Sequence, residues 1–131
     1  MNQRQFELLE WLVSYHTESP PGRNTDPLQD DIVQLLKQLG FTIQRETMYK
    51  NDSVVIGTLK GTDAQAPKLI LNGHIDVASV EDDQYWTYPP FQLTEHQDWL
   101  YGRGVSDMKG GMSSLFYVLE RLNQIFLRPH I

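Results

Sequence analysis

Apolar residues recur along this chain with two different periods, and the changes of period divide it into elements. Phe6, Leu9, Val13 and His16 follow one another at intervals of three, four and three. With Leu12 widening the stripe, that spacing predicts an amphipathic helix over about Gln3 to His16. The helix must stop before Thr17-Glu18-Ser19-Pro20-Pro21-Gly22, because each proline lacks an N–H and restricts the residue before it. That loop reads either as a plain connector or as the border of a ligand cleft. A second helix opens at Asp26, expected as its cap, with Pro27 at the first helical position. Leu28, Ile32, Leu35, Leu36 and Leu39 form its apolar face, and Gly40 ends it.

The period then falls to two. Phe41-Thr42-Ile43-Gln44-Arg45 alternates as a half-buried strand does. Asn51-Asp52 signals a turn. Ser53 to Lys60 forms a second strand around Val54, Val55, Ile56 and Leu59, with Gly57 inside it. Gly61 to Pro67 is a polar loop. Lys68 to Asn72 is the third predicted strand. Its run Leu69-Ile70-Leu71 implies burial on both faces, as in a central strand of an α/β sheet. Val77 to Gln97 is long and irregular, with Trp86, Tyr88, Pro89, Pro90 and Phe91 expected to cover a core edge or a cleft wall. Trp99-Leu100-Tyr101 is a short strand. About Lys109 to Phe126 is a helix with Met112, Leu115, Phe116, Leu119 and Leu122 on its apolar side. Alternating helices and strands place the chain in the α/β class, and 131 residues suffice for one domain with a core of its own.

Composition narrows the function classes. Hydrophobic residues make up 40% and charged residues 21%, the balance of a globular protein. With 17 acidic against 11 basic residues the net charge is −6, and no basic stripe is present to bind phosphates, so no nucleic-acid partner is expected. There is no cysteine, which excludes disulfides, thiolate nucleophiles and cysteine-type zinc sites. Any metal must therefore be held by His, Asp or Glu. Glu7 and Glu10 interrupt what would be the apolar region of a signal peptide, and no apolar run reaches membrane-spanning length. The expectation is a cytoplasmic protein with no membrane partner.

The candidate chemistry lies between Leu69 and Gly111. His74 and Asp76 immediately follow the third predicted strand, at the edge where open α/β sheets gather their ligands. Two residues apart in extended chain, they share a face. A carboxylate beside an imidazole fixes its tautomer and raises its basicity, as around metal-bound histidines. The same pair also reads as a surface ion pair. Asp107 stands 33 residues after His74 (107 − 74), framed by Gly102 and Gly104 before it and Gly110 and Gly111 after it. It reads as a carboxylate held at an unusual angle, able to bridge two metal ions about 3.5–4 Å apart, or as a helix N-cap. The glycines do not match a phosphate loop, since Lys109 is misplaced for it, or a dinucleotide fingerprint, which needs glycine where Asp107 stands. No GxSxG elbow of a serine hydrolase occurs.

Leu69-Ile70-Leu71-Asn72-Gly73-His74-Ile75-Asp76-Val77, followed by Leu100-Tyr101-Gly102-Arg103-Gly104-Val105-Ser106-Asp107-Met108-Lys109-Gly110-Gly111, resembles the co-catalytic zinc amidohydrolases and peptidases. These include acetylornithine deacetylase, succinyl-diaminopimelate desuccinylase, aminoacylase and the glutamate carboxypeptidases. The Ser19-Pro20-Pro21-Gly22 loop and the Trp86 to Phe91 segment resemble the deacetylase and desuccinylase branch, so that the likeness runs from near Gln3 to about Gln124. It implies a mixed-sheet catalytic domain of the zinc-exopeptidase type, of which 1–131 is the N-terminal part. It implies that His74 binds one metal, that Asp107 bridges two, and that Asp76 is the catalytic carboxylate that orients His74. A cis Asp107–Met108 peptide is implied as well. The implied cofactor is a pair of zinc ions, with cobalt or manganese also suited to such ligands. The implied substrate is an N-acyl amino acid or small peptide, and the implied parent enzyme is a homodimer.

The sequence departs from that pattern after Asp107. Family members place a Glu-Glu pair, which includes the general base, farther along than Ile131 reaches, and a further acidic ligand, a distal histidine and a dimerisation domain beyond it. Only 24 residues follow Asp107 (131 − 107). Glu120 is expected on a solvated helix face, and His130 stands too near the end to serve as a ligand. The expectation is an acetylornithine deacetylase-like amide hydrolase that does not catalyse as this isolated chain. The alternatives are a non-catalytic remnant or interaction module, and one part of a split enzyme completed by a second chain.

Overall fold

A computed structural model describes residues 1–20, 22–61, 63 and 65–126. Helix α1 spans Gln3–Val13, and Asn2 caps it by accepting a hydrogen bond from the Gln5 amide at 2.9 Å. It ends three residues earlier than its apolar spacing predicts. Beyond Val13 the backbone takes other partners: the Thr17 amide bonds Tyr15 O, and Thr17 O accepts from the Val77 amide. His16 thus lies outside the helix, its ring stacked on Phe91 with centroids 3.7 Å apart.

Helix α2 spans Asp26–Gln38 and carries Pro27 in its first turn, as predicted. Its N-cap is Thr25, not Asp26. The Asp26 carboxylate is drawn away from the helix amides by the hairpin, accepting from Ser53 Oγ at 2.6 Å and Arg45 Nη2 at 2.8 Å. Those donors hold its carboxyl below the ordinary carboxylate range, the Ser53 hydroxyl contributing most. Strands β1 (Thr42–Tyr49) and β2 (Asp52–Thr58) form an antiparallel hairpin with Ile43 opposite Gly57 and Arg45 opposite Val55. Both predicted strands exist, and β1 is longer than its alternation indicated. Asn51, with φ of 61°, makes the turn.

After an irregular stretch come a 3-10 turn at Asp83–Tyr85 and two short antiparallel strands, β3 (Thr94–His96) and β4 (Trp99–Tyr101). Strand β4 was expected; its partner β3 was not. Helix α3, Gly110–Phe126, lies against α1. The principal core gathers Leu8 and Leu12 of α1, Leu28, Ile32 and Leu36 of α2, Ile75, and Met112 and Phe116 of α3. A smaller cluster joins Leu9 and Val13 to Leu93. The predicted apolar faces of α1 and α2 are the ones buried, as is that of α3 as far as Leu119, whereas Leu122 is 39% exposed; the mixed α/β class is borne out.

Two further expectations fail. Residues 68–72 form no strand, and Leu69 and Ile70 are 80% and 84% exposed. Among the described residues no strand lies beside them, and three consecutive apolar residues cannot bury themselves on both faces without one. Glu120 is not a solvated helix residue either. It takes both Arg4 Nε (2.9 Å) and Arg4 Nη2 (2.6 Å), and its side chain is largely covered. Packing α1 on α3 brought the two together, which periodicity within one helix cannot foresee. His130 lies outside the described residues.

Candidate metal centre

Residues 75–77 are pinned before the site is built. The Val77 amide bonds Thr17 O at 3.0 Å, and the Ser19 amide bonds Val77 O at 2.9 Å, a parallel bridge between the chain after α1 and the chain after His74. Ile75 and Val77 are buried while His74 and Asp76 point the other way, so alternation about an extended backbone puts the imidazole and the carboxylate on one side.

The Asp107 arm is built from a wide turn. The Lys109 amide bonds Gly104 O at 2.8 Å and the Gly110 amide bonds Val105 O, five residues back in each case. Within it Asp107 has φ −136° and ψ 103°, an extended conformation that interrupts the helical path. The Asp107–Met108 peptide is cis, as the motif resemblance implied. Gly104 starts the turn with φ of +85°, and a Cβ there would stand 2.6 Å from Val77 Cγ1, so the turn sits directly on the 75–77 segment.

His74 touches both of the other predicted residues. His74 Nδ1 lies 3.2 Å from both the backbone oxygen and the Oδ1 of Asp76. His74 Nε2 lies 3.1 Å from Asp107 Oδ1. The Asp107 carboxylate thus turns to His74 and, among the described residues, accepts from no helix amide. Both ring nitrogens face oxygen acceptors, yet a neutral imidazole carries one N–H. A cation shared with Asp107 would satisfy the other nitrogen. A donor pair with a held tautomer and a carboxylate 85% exposed at its side chain fits a divalent metal. It is part of a ligand set only, since among the described residues no three His, Asp or Glu side chains converge.

Sequence reasoning passed over Thr17 and Lys109. Lys109 is fully buried, its Nζ donating to Tyr15 O at 2.9 Å, and burial pushes its ammonium down to about 8. Thr17, also fully buried, donates its hydroxyl to Ile75 O at 2.6 Å. A lysine between glycines gives no sign of burial, and a threonine before a proline pair reads as loop. Nearby, the Arg103 guanidinium lies 4.7 Å over the Trp86 ring and donates to Ser79 O at 3.1 Å, fastening the irregular stretch to the glycine-rich segment.

Residues 70–131 match the sequence profile of Peptidase family M20/M25/M40. The chain is 44% identical over 119 residues to N-formyl-4-amino-5-aminomethyl-2-methylpyrimidine deformylase of Bacillus subtilis, covering 90% of this chain and 28% of that protein. It is 51% identical over 127 residues to the probable succinyl-diaminopimelate desuccinylase of Staphylococcus aureus strain Mu50, covering 93% of this chain and 29% of that one. The crystal structure of human carnosine dipeptidase 1 superposes with a TM-score of 0.80 at 21% identity, over 92% of this chain and 28% of the other, a likeness of fold. The chain spans under a third of the length of each.

Proposed function

We propose that this chain, whose residues 70–131 match the profile of Peptidase family M20/M25/M40, supplies one face of a two-metal centre for hydrolysing amide bonds of small N-acyl compounds. The observation that carries this reading is His74 held between Asp76 and Asp107. His74 Nε2 would be the donor to one metal, with the Asp76 carboxylate beside Nδ1 orienting the ring. Asp107 offers one oxygen beside His74 and a second that is free to reach another ion. Bound there, zinc, cobalt or manganese would activate water and polarise an amide carbonyl. The chain's own residues hold and orient ligands; none of the described residues is placed to take the proton from water as general base.

The relatives support amide hydrolysis as the reaction class, since their names specify a deformylase and desuccinylases. Acetylornithine deacetylase-like specificity is the finer reading. The chain alone, supplied with zinc or cobalt, is expected to bind metal weakly and to turn over none of N-formyl, N-acetyl and N-succinyl amine substrates, N-acetylornithine among them. Turnover should appear only when the missing ligands and base are supplied by further polypeptide, in cis or from a second chain. Robust hydrolysis by the isolated chain would overturn the partial-site reading. Undetectable metal binding would favour a non-catalytic remnant.

A further inference from the structure

The loop after α1 does more than connect helices. Tyr15 O accepts the buried Lys109 Nζ, two residues before Thr17 Oγ1 donates to Ile75 O, between His74 and Asp76. Thr17 O and the Ser19 amide complete the attachment to Val77. On the other side the Lys109 amide closes the turn onto Gly104 O, and the lysine stem packs against Gly104, which also faces Val77. One short segment, Tyr15 to Ser19, is therefore bonded both to the arm bearing His74 and to the arm bearing Asp107.

We propose that Tyr15–Ser19 is a clamp that sets the separation of His74 and Asp107, with Thr17 and Lys109 as its positioning residues. The inference rests on the metal-site reading but concerns residues that touch no metal. The choice of groups supports it. A lysine whose ammonium is buried costs desolvation that a methionine of similar shape would not. What the lysine adds is a directed bond to Tyr15 O. Thr17 is buried beside residues 75–77, where valine would fill the space and lose only the bond to Ile75 O. Both bonds run from a side chain to a main-chain carbonyl, so each fixes the path of a backbone. His74 and Asp107 lie in different segments and touch through their side chains, with one further tie from the His74 amide to Met108 Sδ at 3.4 Å. Their spacing depends on what ties those segments together.

The test uses the 131-residue chain with Thr17→Val, Thr17→Ser, Lys109→Met, and Ile32→Val as a core substitution in helix α2 that removes none of the clamp's hydrogen bonds. The ring nitrogens of His74, followed by 15N NMR, report its contact with Asp107 without metal. Competition with a chromophoric chelator reports zinc affinity. Thr17→Val and Lys109→Met should each shift the His74 ring signals and weaken zinc by about tenfold, the usual effect of removing a group that orients a ligand. Thr17→Ser, which keeps the hydroxyl, should restore both readouts, and Ile32→Val should leave both unchanged. Unmoved ring signals in folded Thr17→Val overturn the clamp, as do equal shifts in Ile32→Val. If Lys109→Met does not fold, the contrast between valine and serine at Thr17 decides. A parent chain that binds no zinc overturns the metal reading instead, and the ring signals still decide the clamp.

Discussion

Helix α1 and the segment 69–71 both carry apolar residues that predict burial, and they are opposite in the folded chain. Leu8, Leu9, Leu12 and Val13 are buried, whereas Leu69, Ile70 and Leu71 are exposed. The difference lies in partners and not in composition. Helix α1 has α3, the 105–109 turn and the Leu93 cluster to lie against. The 69–71 run has no neighbouring strand among the described residues, although its residues are those of a strand buried on both faces. Burial is a property of a pair of surfaces, and among the described residues only one member of this pair is found.

The largest effect that would sharpen this contrast is Leu12→Ala. It empties a fully buried position and should cost about 2–5 kcal/mol in urea unfolding. Gly104→Ala should come next, at about 1–3 kcal/mol, because its Cβ would collide with Val77 in a left-handed conformation. Glu120→Gln, which weakens the link between α1 and α3, should cost up to about 1 kcal/mol, since Arg4 is half exposed. The Asp26 carboxyl titrates below its ordinary 3.8 in the folded chain, so its contribution is present above that pH and fades as pH falls through the lower folded value. Asp26→Asn should remove that part of the acid sensitivity, measured as the midpoint of acid unfolding. Smallest of all, Ile70→Ser should change stability by no more than about 0.5 kcal/mol. A cost as large as that of Leu12→Ala would show that 69–71 is buried in solution and would break the comparison.

The helices were legible because a period of three to four needs only the chain itself to be expressed. The site was legible in part for a similar reason. His74 and Asp76 are local neighbours, and their pairing follows from extended geometry. Asp107 came within reach through a motif, but its contact with His74 crosses 33 residues of chain and belongs to the fold. Asp26 illustrates the reverse failure. Its sequence position suits a helix cap, and a hairpin that arrives later in the chain supplies Ser53 and Arg45 as stronger partners. Thr17 and Lys109 were invisible because nothing local distinguishes a buried tether from a loop residue or a solvated lysine.

By itself the sequence determined the three helices, the first hairpin, the absence of thiol chemistry and the identity of the candidate ligands. Each follows from residue type or from spacing within a few positions. Tertiary structure alone decided which carboxylate His74 Nε2 faces, that Arg4 pairs with Glu120, and that Lys109 reaches Tyr15. It also decided that Leu69 to Leu71 stay open. These are contacts between distant segments, and their geometry depends on how helices and turns pack, which no local pattern encodes.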